Sequence, residues 1–321
     1  MSRPIILGVV GNSASGKTTL VRGLTRILGE EHVTRVSADD YHRYDRRQRA
    51  ELGLSPQDPE ANHIDILTQH LLHLRRGEPV LKPVYRHRDG TFGPPVYVRP
   101  MRFLIVEGLL NFSSETLRSA QDVLVFLGPQ EELRRAWKLK RDCTRRGYTS
   151  DEVLAQLDRQ ADDVKRFIDP QREFADLIVS FRAGATRDAE HLDAEVTLCD
   201  SLVHPDLSPL LNGRDDGPTL EPHERGELLR IPGGMDSDHA ATLEQAVWEE
   251  MSFANHLRIR RLGEFTVGTD LHRSDSLALV QLLVLYQLLT AHAALAVGGR
   301  TDLVGSEQRK PASGADSALH A

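Results

Sequence analysis

The sequence predicts an α/β protein with a parallel-rich sheet, helices on both faces and a smaller C-terminal α+β part. Three observations predict this class. Residues 11–18 read GNSASGKT, which has the spacing G-x-x-x-x-G-K-[ST]. A short apolar strand, PIILGVV, precedes these residues and an amphipathic helix, TTLVRGLTRILGEE, follows them. Three later apolar runs, RFLIVEG, DVLVFLG and FADLIVSF, are typical of strands buried on both faces.

The glycine-rich segment predicts a phosphate-binding loop and therefore a P-loop NTPase-type sheet. Backbone N–H groups of such a loop and the start of the next helix attract phosphates. Lys17 is placed to reach the terminal phosphates, and the Thr18 hydroxyl to bind Mg²⁺. We expect ATP at this loop. The predicted nucleotide contacts are Gly11, Asn12, Ser13, Ala14, Ser15, Gly16, Lys17, Thr18 and Thr19.

The elements between the loop and residue 100 follow in order. HVTRVSA reads as a strand, and the polar stretch 39–65 after it as a functional loop with a short helix, here named the acceptor loop. The helix IDILTQHLLHLRRG ends at Gly77 after basic residues, the usual stop signal. Two extended runs around DGTFGPP, within residues 78–100, predict a hairpin or flap.

The pattern changes near residue 185. We predict a P-loop core over 1–184, with the acceptor loop and a basic helix, and an α+β part over 185–298 that completes the sheet or forms a subunit contact. This part has weak strands, a helix around ATLEQAVWEEM, a strand at HLRIRRLGEFTVG and a final helix from Ser274. The low-complexity end, 299–321, predicts a disordered tail.

Composition argues against several classes of protein. The 321-residue chain has a net charge of −7, which gives no support to a nucleic-acid partner. The chain has two cysteines, Cys143 and Cys199, and this small number argues against a disulfide framework. The most apolar segment, SLALVQLLVLYQLLTAHAALAVGG, contains Gln281, Gln287 and His292 and fits a buried helix better than a membrane span. With no signal peptide predicted, we expect a cytoplasmic protein.

Acids follow two of the predicted strands, at the sheet edge where ligands gather. Glu107 ends FLIVEG and could join a magnesium shell, directly or through water; a solvated acid capping a strand is the alternative. In SADDYHRYDR, either Asp39 or Asp40 could accept a hydroxyl proton, and His42 and Arg46 could hold an anionic group.

The segment WKLKRDCTRRG predicts a basic helix with two possible roles. Lys138, Arg141, Asp142 and Arg145 share one face, and Arg146 lies near its edge. The helix could be a solvated surface with ion pairs, which composition alone favours. Alternatively it is a lid that closes over a transferring phosphoryl group.

Together these segments resemble the phosphoribulokinase and uridine kinase family. GNSASGKTTLVRGLT, SADDYHRYDR, DPEANHID, KPVYRHRDG, FLIVEGL, AWKLKRDCTRRG and FIDPQREFAD occur in the family's order. The segments DDYHRYDR and DPEANHID are similar in sequence to those of the plant and cyanobacterial phosphoribulokinases. The resemblance covers about residues 5–180 closely and the second half weakly.

This resemblance implies a function and a set of site residues. It implies ATP- and Mg²⁺-dependent phosphorylation of D-ribulose 5-phosphate to ribulose 1,5-bisphosphate in carbon fixation, by a homodimer. It favours the lid role of the basic helix and Asp39 as the base. The residues it implies are Asp39, Lys17, Lys138 and Arg141 for catalysis, His42, Arg46, Tyr85, His87, Asp142 and Arg146 for the substrate, and Thr18 and Glu107 for the metal.

Two departures from the family pattern matter. Leu110 stands where family members commonly have His after EGL, which leaves acceptor choice open. Light-regulated plant enzymes have cysteines where this chain has Ser15 and Ser37, so we expect no thiol switch through the active site. Two alternatives stay open: a uridine- or cytidine-type nucleoside kinase of the same fold, and a nucleotide-binding regulator without catalysis.

Overall fold

The computed structural model describes residues 3–184, 190–208, 211, 217–258, 262–267 and 269–296. Its strands are β1 (Ile5–Gly11), β2 (Val33–Ser37), β3 (Val80–Arg86), β4 (Thr91–Val98), β5 (Phe103–Gly108), β6 (Val123–Leu127), β7 (Leu177–Arg182), β8 (Asp193–Cys199), β9 (Thr219–His223), β10 (Gly226–Ile231), β11 (Glu264–Val267) and β12 (Asp270–Arg273). Its α-helices are α1 (Lys17–Leu28), α2 (Arg46–Leu52), α3 (Ile64–Arg75), α4 (Glu115–Ser119), α5 (Glu131–Arg145), α6 (Ser150–Arg159), α7 (Ala161–Asp163), α8 (Ser237–Glu250) and α9 (Asp275–Ala296).

One eight-stranded sheet forms the centre of the molecule, in the order β2-β5-β1-β6-β7-β8-β10-β9. The pairs from β2 to β7 are parallel, and the pairs from β7 to β9 are antiparallel. The predicted parallel-rich P-loop sheet is therefore confirmed. In the parallel part, Ser37 and Val9 lie on either side of Glu107, so these strands end at one edge.

Helices cover both faces of the sheet because the central strands are apolar on both. All seven residues of β1 are buried. Ile5, Leu7 and Val9 pack with α1, α8 and α9 on one face. Ile6 packs on the other face with α3 and α4. Such two-sided burial requires the continuous apolar runs from which the strands were predicted.

Helix α9 is the predicted buried C-terminal helix. Its length and composition would suffice to cross a membrane, but 67% of its most apolar window is buried inside the molecule. It packs against α1, α8, β1, β6 and β8. The apolar sequence of α9 is thus explained by its position in the core.

Two predicted elements differ from the structure. The sequence predicts a strand over residues 256–268, but the chain from Ser252 to Leu257 forms a 3₁₀ helix, and the described strand runs from Glu264 to Val267, after Gly263 at a φ of +73°. Residues 259–261 and 268 lie outside the described residues. The hairpin turns at residues 87–90, with Gly90 at φ +77°, so TFGPP belongs to β4. Pro94 and Pro95 are tolerated there because β4 is an edge strand. The predicted tail, 299–321, lies outside the described residues.

The crossing of α1 and α9 depends on Gly23. A Cβ atom there would lie 2.1 Å from Gln281 Nε2 and 2.6 Å from its Cδ. Gln281 is fully buried, and its Oε1 accepts a hydrogen bond from Gly263 N at 2.9 Å. The helices can therefore approach this closely only where α1 lacks a side chain.

We expect Gly23→Ala to lower the free energy of unfolding by about 1–3 kcal/mol, because the added methyl group overpacks the helix crossing. Helix propensity alone predicts the opposite, a gain of about 1 kcal/mol. Equilibrium denaturation in urea measures the difference. A more stable variant would show that α1 and α9 can separate at no cost.

Candidate active site

The phosphate-binding loop turns tightly between β1 and α1. Gly16 caps α1 with a φ of +96°, and Ala14 also has a left-handed φ of +65°. The Lys17 ammonium donates hydrogen bonds to Gly11 O at 2.7 Å and Asn12 O at 2.9 Å. Burial lowers the pKa of Lys17 to about 8, although Asp39 and Glu107 favour its charged form. The lysine is thus held at the base of the loop.

Thr18 and Glu107 form the predicted metal position. Thr18 Oγ1 donates to Glu107 Oε2 at 3.1 Å, across the edge where β5 and α1 meet. Burial raises the pKa of Glu107, and the charge of Lys17 and the hydrogen bond from Thr18 only partly oppose this. A hydroxyl beside an incompletely compensated carboxylate fits Mg²⁺, which prefers oxygen ligands and needs few from protein when phosphates supply the rest.

The start of the acceptor loop carries Asp39 on a 3₁₀ turn, Ala38–Tyr41. Asp39 Oδ2 lies 3.8 Å from His87 Nε2, at the end of the hairpin strand β3. Burial opposes ionisation of Asp39, but the basic groups around it more than offset this and hold its pKa below the usual range. These groups include Lys17 and Arg146, which are charged at neutral pH, whereas the imidazoles of His42 and His87 contribute only when they are protonated.

His42 is a buried neutral imidazole with a defined tautomer. Its Nδ1 lies 2.7 Å from Asn62 Oδ1, while Asn62 Nδ2 donates to the carbonyls of Pro56 and Asp58. The amide oxygen must therefore accept the imidazole proton, which leaves His42 Nε2 as an acceptor. Burial lowers the pKa of His42 to about 4. This state suits contact with a hydroxyl group better than with the anion that the sequence suggested.

Two arginines of α2 carry positive charge into the same region. Arg46 donates to His87 O and lies 5.6 Å from the Tyr148 ring centroid. Arg49 is buried, donates to Tyr44 O at 2.7 Å and Tyr85 Oη at 2.8 Å, and stacks over the Tyr85 ring. Among the ion pairs of the described residues, neither arginine has a carboxylate partner.

The basic helix α5 contacts the phosphate-binding loop directly. Arg141 donates to Ser13 Oγ at 3.0 Å, and Arg134 donates to Ser13 O at 3.0 Å. Arg134 also pairs with Glu131 on its own helix. Helix α5 therefore lies over the loop, as a lid must, and is not a freely solvated surface.

The buried carboxylate of Asp142 forms ion pairs with several cationic side chains of this region. It pairs with Lys138 Nζ at 2.9 Å, Arg141 Nε at 2.8 Å and Arg146 Nη1 at 3.4 Å. The Asp142 side chain is fully buried, and Arg141 and Lys138 hold its pKa below the usual value despite that burial. Lys138 is occupied further by Gln156. Asp142 thus reaches ligands only through its cationic partners.

One cleft of about 1530 Å³ brings most of the predicted residues together. It exceeds the roughly 300–1,000 Å³ typical of a single small-molecule site, so it can hold two ligands. The predicted residues that line it are Ser13, Ala14, Ser15, Gly16, Lys17, Thr18, Thr19, Asp39, His42, Arg46, Tyr85, His87, Glu107, Lys138, Arg141 and Arg146.

Three predicted residues do not line the cleft: Gly11, Asn12 and Asp142. Gly11 and Asn12 act through their carbonyls, which accept from Lys17. Leu110 is buried in an apolar cluster with Val10 and other residues, away from the cleft lining. The position that departs from the family pattern is therefore filled by core packing.

Sequence reasoning missed Arg49 and Arg134. Both had a detectable signal, because Arg49 lies three residues after Arg46 and Arg134 four residues before Lys138, each on the same helical face. The two cysteines are free: Cys143 is on α5 and Cys199 on β8.

Comparisons with known proteins agree with this geometry. Residues 6–187 match the model of the Phosphoribulokinase / Uridine kinase family. A phosphoribulokinase of Synechocystis sp. is 36% identical over 179 residues, which are 56% of this chain and 54% of that protein. A uridine kinase of Enterobacter sp. is 31% identical over 191 residues, 57% of this chain and 89% of that protein. The chain thus matches about half the length of the cyanobacterial relative.

The fold also resembles a solved structure. The phosphoribulokinase from Rhodobacter spheroides superposes with a TM-score of 0.58, covering 80% of this chain and 98% of that one. The identity is 19%, so this likeness concerns the fold alone. It extends beyond the family-matched region into the C-terminal part.

We expect ATP affinity to fall as the pH rises above about 8, because Lys17, with a pKa of about 8, then loses the charge that binds phosphate. The limiting slope is about tenfold per pH unit if only the charged form binds. Titration with a fluorescent ATP analogue from pH 6.5 to 9.5 measures it. Lys17→Met should bind weakly with a flat profile, and an equally steep profile in that variant would assign the titration elsewhere.

Proposed function

This chain belongs to the Phosphoribulokinase / Uridine kinase family, and on that premise we propose that it phosphorylates D-ribulose 5-phosphate with ATP. The product would be ribulose 1,5-bisphosphate, the substrate of carbon fixation. The Synechocystis relative is a phosphoribulokinase. One observation carries the choice of acceptor. Arg46 and Arg49 bring two guanidinium charges into the cleft with no carboxylate partner among the described ion pairs.

Two arginines without carboxylate partners are suited to an acceptor substrate that carries a negatively charged group. A phosphate monoester would accept charge-assisted hydrogen bonds from both guanidinium groups. A nucleoside, which is neutral at its sugar, would leave both charges uncompensated. Local charge of this kind is compatible with the net charge of −7, because the field in a cleft is set by the groups that line it.

The remaining groups suit in-line phosphoryl transfer. Asp39 accepts the proton of the acceptor hydroxyl, whose oxygen attacks the γ-phosphorus while ADP leaves. His42 Nε2 is available to accept a hydrogen bond from another sugar hydroxyl. Lys17 and Arg141 stabilise the negative charge of the transferring group. Mg²⁺, held by Thr18 and Glu107 when bound, would supply further positive charge to the phosphates.

A uridine- or cytidine-type nucleoside kinase is the second candidate. The match to the Enterobacter uridine kinase favours it, since it spans 89% of that protein. A nucleotide-binding regulator is the third candidate. The presence of Asp39 in the cleft lining, where it could act as a general base, argues against it. We further propose a cytoplasmic homodimer; sedimentation equilibrium of the purified chain tests the subunit number.

The experiment that tests the function measures Mg²⁺-dependent ADP release with different acceptors. Ribulose 5-phosphate, uridine, cytidine and no acceptor are compared at equal concentration. Release only with ribulose 5-phosphate, together with a bisphosphate product, supports the proposal. Faster release with a nucleoside supports the second candidate, and tight ATP binding without release supports the third.

We expect Asp39→Asn to lower kcat by about 10²- to 10⁴-fold, because a general base contributes that much. ATP binding should change little, since the hydrogen bonds of Lys17 to the loop carbonyls do not involve Asp39. Single-turnover kinetics and ATP titration separate the two quantities. Asp238→Asn, an exposed carboxylate on α8, is the control. Parallel loss of ATP affinity and turnover would point to a folding defect.

We expect Arg49→Met to raise the KM for ribulose 5-phosphate by about 10- to 100-fold. This range corresponds to the loss of one hydrogen bond to a charged group, which contributes roughly 1.5–3 kcal/mol. The KM for ATP should stay unchanged. Arg47→Met is the matched control, because Arg47 lies on the same helix, is 87% exposed and, among the residues that the structure describes, pairs with Glu51 alone. An equal effect in both variants would remove Arg49 from the acceptor site.

A further inference from the structure

We infer that Asp40 is a positioning residue: its carboxylate fastens the β3–β4 hairpin to the acceptor loop and so sets where Tyr85 and His87 stand relative to Asp39. The inference rests on the proposed function for the identity of the acceptor. Their position after the same strand does not distinguish Asp39 from Asp40, and only the family resemblance favours Asp39 as the base. Their surroundings are different.

Asp40 holds the hairpin at two points. Its Oδ1 accepts a hydrogen bond from the backbone N–H of Tyr85 at 2.8 Å. Its Oδ2 pairs with the ammonium of Lys82, which also donates to Pro83 O at 3.0 Å. The side chains of Asp40 and Lys82 are 15% and 8% exposed. The pair is therefore shielded from solvent and from screening by salt.

The two contacts lie on either side of an irregularity in β3. The pairing of β3 with β4 shifts register between Lys82 and Val84. Pro83, between them, has no N–H to join a ladder. At such a bulge the strand bends and its side chains are re-aimed. A carboxylate that binds the residues before and after the bulge fixes this bend, and so the direction in which the next residues point.

The bend in β3 sets the positions of the Tyr85 and His87 side chains. The Tyr85 ring meets the ring of His42 edge-on at 4.7 Å and that of His87 at 5.2 Å. Its hydroxyl accepts from Arg49 at 2.8 Å. His87 follows two residues later and stands 3.8 Å from Asp39. A displaced β3 would therefore move the acceptor groups together, and leave the phosphate-binding loop in place.

Lys82 also compensates the negative charge of the buried Asp40 carboxylate. A second uncompensated carboxylate next to Asp39 would repel its negative charge. Removing one member of a buried pair leaves the other charge buried and unpaired, which is costly. Lys82 must thus be removed together with the charge of Asp40 if position is to be tested apart from charge.

Three variants separate position from charge. Lys82→Met leaves a buried carboxylate. Asp40→Asn/Lys82→Met is neutral and keeps an oxygen that can accept from Tyr85 N. Asp40→Ala/Lys82→Met is neutral and has no acceptor. The control is Asp122→Asn, a buried carboxylate at the opposite end of the sheet that likewise accepts a backbone N–H, from Ile6, and pairs with arginine.

We expect the Ala double variant to raise the KM for ribulose 5-phosphate at least about tenfold, because displacement of reacting groups by 1 Å can cost about a hundredfold. The KM for ATP should stay within about twofold, a change too small to reflect a lost contact. The Asn double variant should recover most of the acceptor KM, and Lys82→Met should resemble the Ala variant. Asp122→Asn should lower Tm without a selective effect on either KM.

Acceptor binding by the Ala double variant at the wild-type level would overturn the inference, as would a parallel rise in both KM values. Amide hydrogen exchange of residues 80–98 gives a readout that needs no activity: exchange should be faster in the Ala than in the Asn double variant. If the wild type does not phosphorylate ribulose 5-phosphate but this exchange difference is found, the proposed function fails and the positioning role stands. Equal exchange in the two double variants contradicts the positioning role.

Discussion

The site depends on the burial of β1 between two parallel neighbours. All seven residues of β1 are buried, and β5 and β6 pair with it in register. The chain turns at the carboxyl edge, where the backbone N–H groups of the loop have no strand partner. The same register puts Glu107 at that edge, within hydrogen-bond distance of Thr18 at the start of α1. Fold and phosphate site are thus consequences of one strand arrangement.

Charge in the cleft is divided into compensated and uncompensated groups. Asp142 neutralises part of the positive charge of α5, which lets Lys138 be buried. Lys82 compensates Asp40 in the same way. Arg46 and Arg49 have no such acid among the described ion pairs, so no paired carboxylate neutralises their positive charge at this end of the cleft. These uncompensated charges lower the stability of the folded protein, and their positive field would be neutralised by a phosphorylated substrate.

The acceptor loop illustrates what local sequence could and could not predict. The strand before it and the polar composition after it predicted a cluster of acids and bases at the sheet edge. The choice between Asp39 and Asp40 was not possible from their neighbours in sequence, because it depends on Lys82 and Tyr85, which are 42 and 45 residues away. Asp40 is occupied by the hairpin, and Asp39 is the carboxylate that lines the cleft. Likewise, the expectation that α5 is a lid came from the resemblance, since its charge pattern alone favours a solvated helix.

The sequence by itself determined the fold class and the phosphate-binding loop, because apolar runs, glycine spacing and strand–loop–helix order are local patterns with few structural solutions. It also determined that α9 is apolar all round, which burial in the core then explained. Only the tertiary structure decided which charges are paired, that His42 is a neutral acceptor held by Asn62, and that Asp142 lies beneath the cleft lining. These properties depend on desolvation and on contacts between residues far apart in the chain, and neither leaves a periodic signal in the sequence.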